Sequence, residues 1–174
     1  LTSKIEGKSV LVIGGAGSIG SSFIKAILPF RPASLVVVDT NENALAELTR
    51  DLQSTKGMYM PNEDIPYPMD FASTVFEKMF RKHKGFDIVG NFSAHKHVRS
   101  EKDIYSVEAL LQNNVLHARG LLELLTLYPP EEYFCVSTDK AANPVNIMGA
   151  SKRIMEDLIF SYSDRFPVKT ARFA

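Results

Sequence analysis

Cysteine is almost absent from this 174-residue sequence: Cys135 is the only one, so no disulfide can form within the chain. It lies in an apolar run, and we expect a reduced, buried thiol of the kind found in cytoplasmic proteins. Net charge is absent too, because 20 acidic residues balance 20 basic ones. Nothing therefore favours nucleic acid or an anionic membrane as a partner. No apolar run approaches the roughly 18 residues that a membrane-spanning helix needs.

What is present is the composition of a folded domain. Hydrophobic residues make up 45% of the sequence and charged residues 23%, which is enough apolar material to close one hydrophobic core. The sequence begins at Leu1 rather than at a methionine, and Ala174 directly follows a strand-like run. We therefore expect residues 1–174 to be one domain and a part of a longer protein.

Short apolar runs alternate with amphipathic stretches along the whole sequence. The runs predict strands that are covered on both faces, at 10–13, 35–38, 58–60, 86–89, 133–136 and 168–173. The proline-rich segment 61–68 is predicted to be an irregular loop. Stripes of apolar residues at helical spacing predict the helices, including a long one that ends before Pro129 and one over 150–166. Strands that alternate with helices require parallel crossovers, so the predicted fold is α/β with a doubly wound parallel sheet.

Glycines join the first predicted strand to the first helix, in the segment Gly14-Gly15-Ala16-Gly17-Ser18-Ile19-Gly20. Glycine lets the backbone approach a pyrophosphate, whose charge the helix N-terminus stabilises. Asp39 ends the next strand about 20 residues later, where an acidic residue can bind the adenosine ribose of NAD. The carboxylate would repel the 2′-phosphate of NADP, so NAD is the predicted cofactor. A tight structural turn beside an ordinary surface aspartate is the alternative. The predicted cofactor-binding residues here are Gly14, Gly17, Ser18, Ile19, Gly20 and Asp39.

A hydroxyl, a carboxylate and an amine stand side by side after the fifth predicted strand, in Ser137-Thr138-Asp139-Lys140-Ala141-Ala142. The carboxyl ends of strands are where open α/β sheets bind their ligands. Met148 and Lys152 are four residues apart and are expected on one face of the following helix. A solvated loop in which Thr138 or Asp139 caps the next helix is the alternative interpretation.

With these segments the sequence resembles the extended short-chain dehydrogenase/reductase superfamily. Segment 136–153, Pro68-Met69-Asp70 and Ser93-Ala94-His95-Lys96-His97-Val98 resemble one branch of it, the CapD-like UDP-N-acetylglucosamine 4,6-dehydratases of polysaccharide biosynthesis. The resemblance covers essentially the whole chain. It implies a Rossmann-type NAD-binding domain whose C-terminal substrate part is absent from this sequence. It also implies a lyase with a UDP-sugar substrate, no metal, a homo-oligomeric state, and a location in the cytoplasm or on the cytoplasmic side of an inner-membrane protein.

The reaction implied by this resemblance is a dehydration in which hydride leaves C4 of the hexose and returns at C6. Lys140 matches the base that removes the C5 proton, Asp139 the acid at the C6 oxygen, and Thr138 the hydroxyl bonded to the C4 oxygen. Lys152 matches the lysine that holds the nicotinamide ribose. Among the other matched positions, Asp70 either bonds the adenine amine or caps the next helix, Ala94 contacts the cofactor, and the cations of 95–97 are either solvent-exposed or in contact with a phosphate.

Two positions depart from the superfamily pattern. Met148 replaces the tyrosine that takes the C4 proton, and a thioether cannot accept a proton. The long, membrane-tethered members of the branch share this methionine, which leaves Asp139 or a water held by Thr138 to take that proton. The second departure is Asn114-Val115-Leu116-His117-Ala118, which keeps the asparagine of an Asn-Val-x-Gly-Thr pattern but not its small residues.

Two other functions remain open at this point. A nucleotide-sugar 4-epimerase of the same superfamily would need no acid–base pair at C5 and C6, and it would normally carry the tyrosine. In a catalytically silent NAD-binding module, no proton acceptor would be needed at position 148, so Met148 would be compatible with this function as well. The pair Asp139-Lys140 with Met148 argues against the epimerase, whereas Met148 and the missing C-terminal part keep the silent module open.

Overall fold

The computed structural model describes residues 2–93 and 103–173. Segment 94–102, which carries the predicted cofactor contact Ala94 and the cations of 95–97, lies outside the described residues. The described strands are β1 (Ser9–Ile13), β2 (Ser34–Asp39), β3 (Glu63–Pro68), β4 (Ile88–Asn91), β5 (Glu132–Thr138) and β6 (Val168–Phe173). The described helices are α1 (Thr2–Ile5), α2 (Ser18–Ile27), α3 (Glu42–Ser54), α4 (Thr74–Lys82), α5 (Ile104–Leu111), α6 (Ala118–Leu127) and α7 (Ile147–Phe160).

The chain forms two compact units, Leu1–Ser93 and Ala94–Ala174. In the first unit four parallel strands lie in the order β3-β2-β1-β4. Val10, Leu11 and Val12 at the centre of this order are 0% exposed. This agrees with the prediction, made from their continuous apolar run, of a strand that is covered on both faces. Helix α3 begins directly after Asn41, because the Asn41 side chain accepts a hydrogen bond from the backbone N–H of Ala44 (3.0 Å).

The third strand lies further along the chain than predicted. Segment 58–60 is not a strand, and the predicted loop 61–68 contains β3. In β3, Pro66 is paired in register with Val37, and Pro68 with Asp39. Strand β3 is at the end of the strand order in this unit, so one of its sides pairs with no further strand there. A proline, which has no N–H to donate, is tolerated when it faces that unpaired side. Prolines and acidic residues made this edge strand look like a loop in the sequence.

The second unit contains the parallel pair β5–β6, in register from Tyr133↔Val168 to Thr138↔Phe173. Strand β6 has its predicted bounds, and β5 continues to Thr138, which it delivers directly to a one-turn 3₁₀ helix at Asp139–Ala141. Helix α7 begins at Ile147 and ends at Phe160 instead of covering 150–166. Asn146 sets its start, since its side chain accepts a hydrogen bond from the backbone N–H of Gly149 (2.8 Å).

The predicted long helix before Pro129 is interrupted. A π-helical segment, Gln112–His117, joins α5 to α6 and includes Asn114. The predicted buried thiol is confirmed: Cys135 is 1% exposed, and burial raises its pKa above the ordinary thiol value. Among the described residues, none of the helices combines the length and the apolar character that crossing a bilayer requires.

Candidate functional site

The glycine loop of the first unit is closed so tightly that Gly14, Gly15 and Gly20 have no room for a side chain. Gly14 has a φ of 71°, and a Cβ there would lie 2.5 Å from the backbone nitrogen of Ser93. A Cβ at Gly20 would collide with the carbonyl oxygen of Gly14. The backbone of the loop therefore folds onto the first turn of α2, and any group bound above it would contact main-chain atoms.

The N-terminus of α2 lies in the same loop. Gly17 precedes the helix and has no side chain to cap it, so the first N–H groups of the helix have neither a side-chain cap nor a preceding helical turn as partner. Such N–H groups, together with the helix dipole, form a site for an anion such as a phosphate. The predicted residues Ser18, Ile19 and Gly20 make up this first turn.

Asp39, at the end of β2, holds the glycine loop in place. One carboxylate oxygen accepts a hydrogen bond from the backbone N–H of Ala16 (3.0 Å), and the other accepts one from the N–H of Asn41 (3.0 Å). Each oxygen of an ionised carboxylate can accept a further bond. Asp39 can thus brace the loop and bind a ribose hydroxyl at the same time, which the sequence pattern alone did not indicate.

Asp70 does not cap the helix that follows it. Its side chain accepts a hydrogen bond from the N–H of Ala72 (2.9 Å), whereas Ser73 caps α4 through a bond from the N–H of Phe76 (3.2 Å). The capping interpretation of Asp70 is therefore wrong. The backbone N–H of Met69 donates to the carbonyl of Asp39 (3.0 Å), so this segment lies beside the end of β2, and the contact with adenine stays a prediction.

In the second unit the hydroxyl, the carboxylate and the amine form one hydrogen-bonded turn. The Thr138 hydroxyl donates to Oδ1 of Asp139 (2.9 Å), and the backbone N–H of Lys140 donates to the same oxygen (2.9 Å). Asp139 and Lys140 are exposed, and Thr138 is half-buried. Thr138 and Asp139 cap only the 3₁₀ turn that they begin; the cap of α7 is Asn146. The alternative interpretation is therefore met in part, because Thr138 caps the next helical turn but not α7, and both side chains face solvent in part.

Helix α7 packs beside this turn and carries the other two predicted residues on its buried face. Met148 is 4% exposed and Lys152 is 3% exposed. The Lys152 ammonium lies 3.8 Å from the sulfur of Met155, and that sulfur is 4.0 Å from the thiol sulfur of Cys135. A buried amine beside polarisable sulfur atoms is an unusual environment, because charged groups rarely leave water.

The π-helical segment positions a residue whose role the sequence left open. Asn114 is 2% exposed and donates a hydrogen bond from its amide to the Ser151 hydroxyl (3.0 Å). Ser151, which is 0% exposed, donates to the carbonyl of Met148 (2.8 Å). The kept asparagine of the 114–118 pattern thus supports the first turn of α7, which is the turn that carries Met148.

A partly buried ion pair between α7 and β6 was not predicted. Glu156, 3% exposed, accepts two hydrogen bonds from the guanidinium of Arg172, at 2.7 and 3.0 Å. Burial opposes the charge of Glu156, but the hydrogen bonds and charge of Arg172 together with contributions from Ser137 and Arg153 outweigh it, so the pKa of this carboxyl is held below its usual value. No local pattern in the sequence indicates this pair, because its two residues are 16 positions apart.

Parallel strands, a glycine loop after β1 and an acidic residue at the end of β2 define a Rossmann-type α/β chain, as predicted. The chain belongs to the family of polysaccharide biosynthesis proteins, whose family model matches residues 10–174. The predicted CapD-like branch of the extended short-chain dehydrogenase/reductase superfamily is confirmed. The chain is 30% identical over 164 residues to EpsC, a probable polysaccharide biosynthesis protein of Bacillus subtilis, covering 92% of this chain and 26% of EpsC.

Other relatives include a second polysaccharide biosynthesis protein and members of two classes of enzyme. The capsular polysaccharide biosynthesis protein CapD of Staphylococcus aureus is 29% identical over 94% of this chain and 27% of its own length. An inverting UDP-N-acetylglucosamine 4,6-dehydratase of Campylobacter jejuni is 25% identical over 97% of this chain and 48% of its own. A UDP-glucose 4-epimerase of Rickettsia bellii is 28% identical over 87% of this chain and 42% of its own. The chain thus spans from about a quarter to about half the length of these relatives.

The fold is shared with solved structures. The Bordetella bronchiseptica enzyme WbmF in complex with NAD⁺ superposes with a TM-score of 0.74, at 20% identity, over 98% of this chain and 51% of its own. At this identity the likeness shows the fold alone, and it confirms the predicted α/β class.

Proposed function

We propose that this chain is the NAD-binding part of a nucleotide-sugar 4,6-dehydratase of polysaccharide biosynthesis, with a UDP-N-acetylhexosamine, first of all UDP-N-acetylglucosamine, as substrate. The observation that carries the proposal is the turn after β5, where one carboxylate oxygen of Asp139 holds both the Thr138 hydroxyl and the N–H of Lys140. Membership of the polysaccharide biosynthesis family and the likeness to a 4,6-dehydratase support the same reaction class.

The first unit fits a dinucleotide. Gly14 and Gly20 let the loop close against its own backbone, α2 begins there without a side-chain cap, and Asp39 has acceptor capacity left at both oxygens. In the proposed function the loop holds the pyrophosphate, Asp39 the adenosine ribose, and Lys152 the nicotinamide ribose. NAD, when bound, supplies a reversible acceptor for the hydride of C4.

Lys140 is the proposed base for the C5 proton. A lysine acts as a base only when it is neutral, and desolvation or neighbouring cations favour that form. Lys140 is exposed in this structure, so a bound sugar that covers the turn is what would remove water from the amine. General base assistance of this kind contributes about 10²–10⁴-fold to a rate.

Asp139 is the proposed acid at the C6 oxygen, and its geometry separates two tasks. Oδ1 accepts the hydrogen bonds from Thr138 and Lys140, which fixes the orientation of the carboxyl group. Oδ2 is then the oxygen that would carry the proton donated to the C6 oxygen. The C4 proton has no acceptor at position 148, because a thioether takes none. We assign it to Asp139 or to a water held by Thr138.

The test is to incubate the full-length parent protein with NAD and UDP-N-acetylglucosamine and to analyse the product by NMR. A 4-keto-6-deoxy sugar, with solvent deuterium at C5 and at no other carbon, is the expected product. A C4 epimer that keeps its C6 hydroxyl would make the protein an epimerase instead. Tight NAD binding without any turnover would make it a silent module.

The matched variant is Lys140→Ala. It should still oxidise C4 and then stall, so that absorbance of the reduced cofactor accumulates while deuterium exchange at C5 falls by about 10²-fold or more. Arg153→Ala, an exposed cation on α7 paired with Asp157 at 3.5 Å, is the control and should leave both signals unchanged.

A further inference from the structure

Gly149 lies where helix α7 meets the turn that carries Lys140. It is the third residue of α7, next to Met148. A Cβ at this position would lie 2.6 Å from the carbonyl oxygen of Lys140, 3.3 Å from its carbonyl carbon and 3.1 Å from the side-chain oxygen of Asn146. The peptide of Lys140 therefore rests directly on the helix backbone at the one place in this turn of α7 that has no side chain.

The backbone conformation of Gly149 does not require glycine. The residue lies inside α7 with its N–H bonded to Asn146, a conformation that any residue adopts, and alanine is the better helix former. Space is thus the reason for glycine here. Glycine lowers the stability of the helix, and it is the residue that fits here because the Lys140 peptide lies so close. The cost in helix stability indicates that this close approach matters.

We propose that Gly149 is a positioning residue for Lys140: the absent side chain fixes the distance between the Lys140 peptide and the helix that carries Met148 and Lys152. The inference rests on the proposed function, in which Lys140 removes the C5 proton. To reach an ordinary contact of 3.4 Å from 2.6 Å, the Lys140 carbonyl must move by about 0.8 Å when alanine is introduced. A displacement near 1 Å from the productive geometry can cost about 10²-fold in rate.

The experiment compares Gly149→Ala with Gly120→Ala in the full-length protein. Gly120 also lies inside a helix, α6, but a Cβ there meets nothing within 4 Å, so it controls for the change of residue type. We expect Gly149→Ala to slow deuterium exchange at C5 by about 10- to 100-fold, with C4 oxidation and NAD affinity close to those of the wild type. Gly120→Ala should match the wild type in all three. Equal losses in C4 oxidation and C5 exchange would overturn the proposal.

A double variant tests whether Gly149 acts through Lys140. If it does, Gly149→Ala should add nothing to the loss caused by Lys140→Ala, because the effects of two residues that act as a unit are not additive. Multiplied losses would show that Gly149 acts elsewhere. Asp139 and Lys140 are exposed, so a shift confined to these two residues leaves the buried Ala141 of the turn in place, and we expect the variant to fold. A Gly149→Ala protein that does not fold would assign Gly149 to the core and overturn the proposal.

One readout does not depend on turnover. With ¹³C-methylated lysines, the NMR signal of Lys140 should move in Gly149→Ala and stay in place in Gly120→Ala, without any substrate. If the wild type proves inactive as a dehydratase but this signal moves as expected, the proposed function fails and the positioning role stands. An unmoved Lys140 signal would overturn the positioning role whatever the reaction is.

Discussion

Removing the Ser151 hydroxyl would break the connection between the π-helical segment and α7. In Ser151→Ala the Asn114 amide loses an acceptor at 3.0 Å and the Met148 carbonyl loses a donor at 2.8 Å. Asn114 is 2% exposed, so water cannot easily replace the lost partner. A buried polar group left unsatisfied costs about 1–3 kcal/mol, and alanine regains a few tenths through helix propensity. We expect a net loss of about 1–2 kcal/mol in the free energy of unfolding.

The partner variant is Asn114→Ala, which removes the buried amide and leaves Ser151 bonded to Met148. The double variant should lose less than the sum of the two single variants, by about 1 kcal/mol, since the shared hydrogen bond is lost only once. Gln112→Ala, in the same π-helical segment, is the control. Its amide bonds Glu108 at 3.2 Å on an exposed surface, and its loss should stay within about 0.5 kcal/mol.

Urea unfolding followed by circular dichroism measures these differences as shifts of the midpoint at constant slope. Strict additivity of Ser151→Ala and Asn114→Ala would refute the reasoning, because it would mean that the two side chains do not interact. A loss in Gln112→Ala as large as that in Ser151→Ala would also refute it, since burial would then not be the cause.

Three further predictions concern single residues. Asp39→Asn should weaken NAD binding, measured by calorimetry, because an amide offers one acceptor where the carboxylate meets two backbone N–H groups; unchanged affinity would contradict the bracing role. Met148→Leu should keep substantial turnover, since it removes no proton carrier, whereas Lys152→Ala should lose it; equal losses would mean that the thioether has a chemical role. The pKa of Glu156 is lowered from 4.5, so its pairing stabilises the fold above that pH and is lost as pH falls through the folded-state pKa. Arg172→Met should therefore flatten the acid side of a plot of melting temperature against pH, and an unaltered plot would refute the assignment.

Elements with strong local signals were predictable from the sequence. The runs that became β1 and β2 are apolar throughout because both faces are covered, and the cap of α3 needed only Asn41. Strand β3 was missed because its prolines are tolerated only at the end of a strand order, a fact of pairing that no local pattern contains. Helix α7 starts earlier than predicted because Asn146 caps it. The early start was missed because the first turn contains a glycine, which usually weakens a helix.

The same distinction holds within the candidate site. The residues with reactive groups, Asp139 and Lys140, stand next to each other and could be picked out directly. The contacts that support α7 beside them could not be picked out, since Asn114 and Ser151 are 37 positions apart and Glu156 and Arg172 are 16 apart. Such pairs depend on which strand lies beside which helix, and that is decided by the fold as a whole.

The burial of Lys152 bears on whether the site is a working one. Its side chain is 3% exposed, and taking an ammonium out of water costs free energy that even a good partner repays incompletely. A chain that only had to fold would be at least as stable with an apolar residue of similar length at this position. Residues that lower stability in this way are found mainly where function requires them. The loss of the tyrosine at 148 removes one proton acceptor, but the buried lysine, the braced turn at Asp139 and the side-chain support of α7 are all in place. That combination favours an enzyme whose C4 proton leaves by another group over a module that has stopped catalysing.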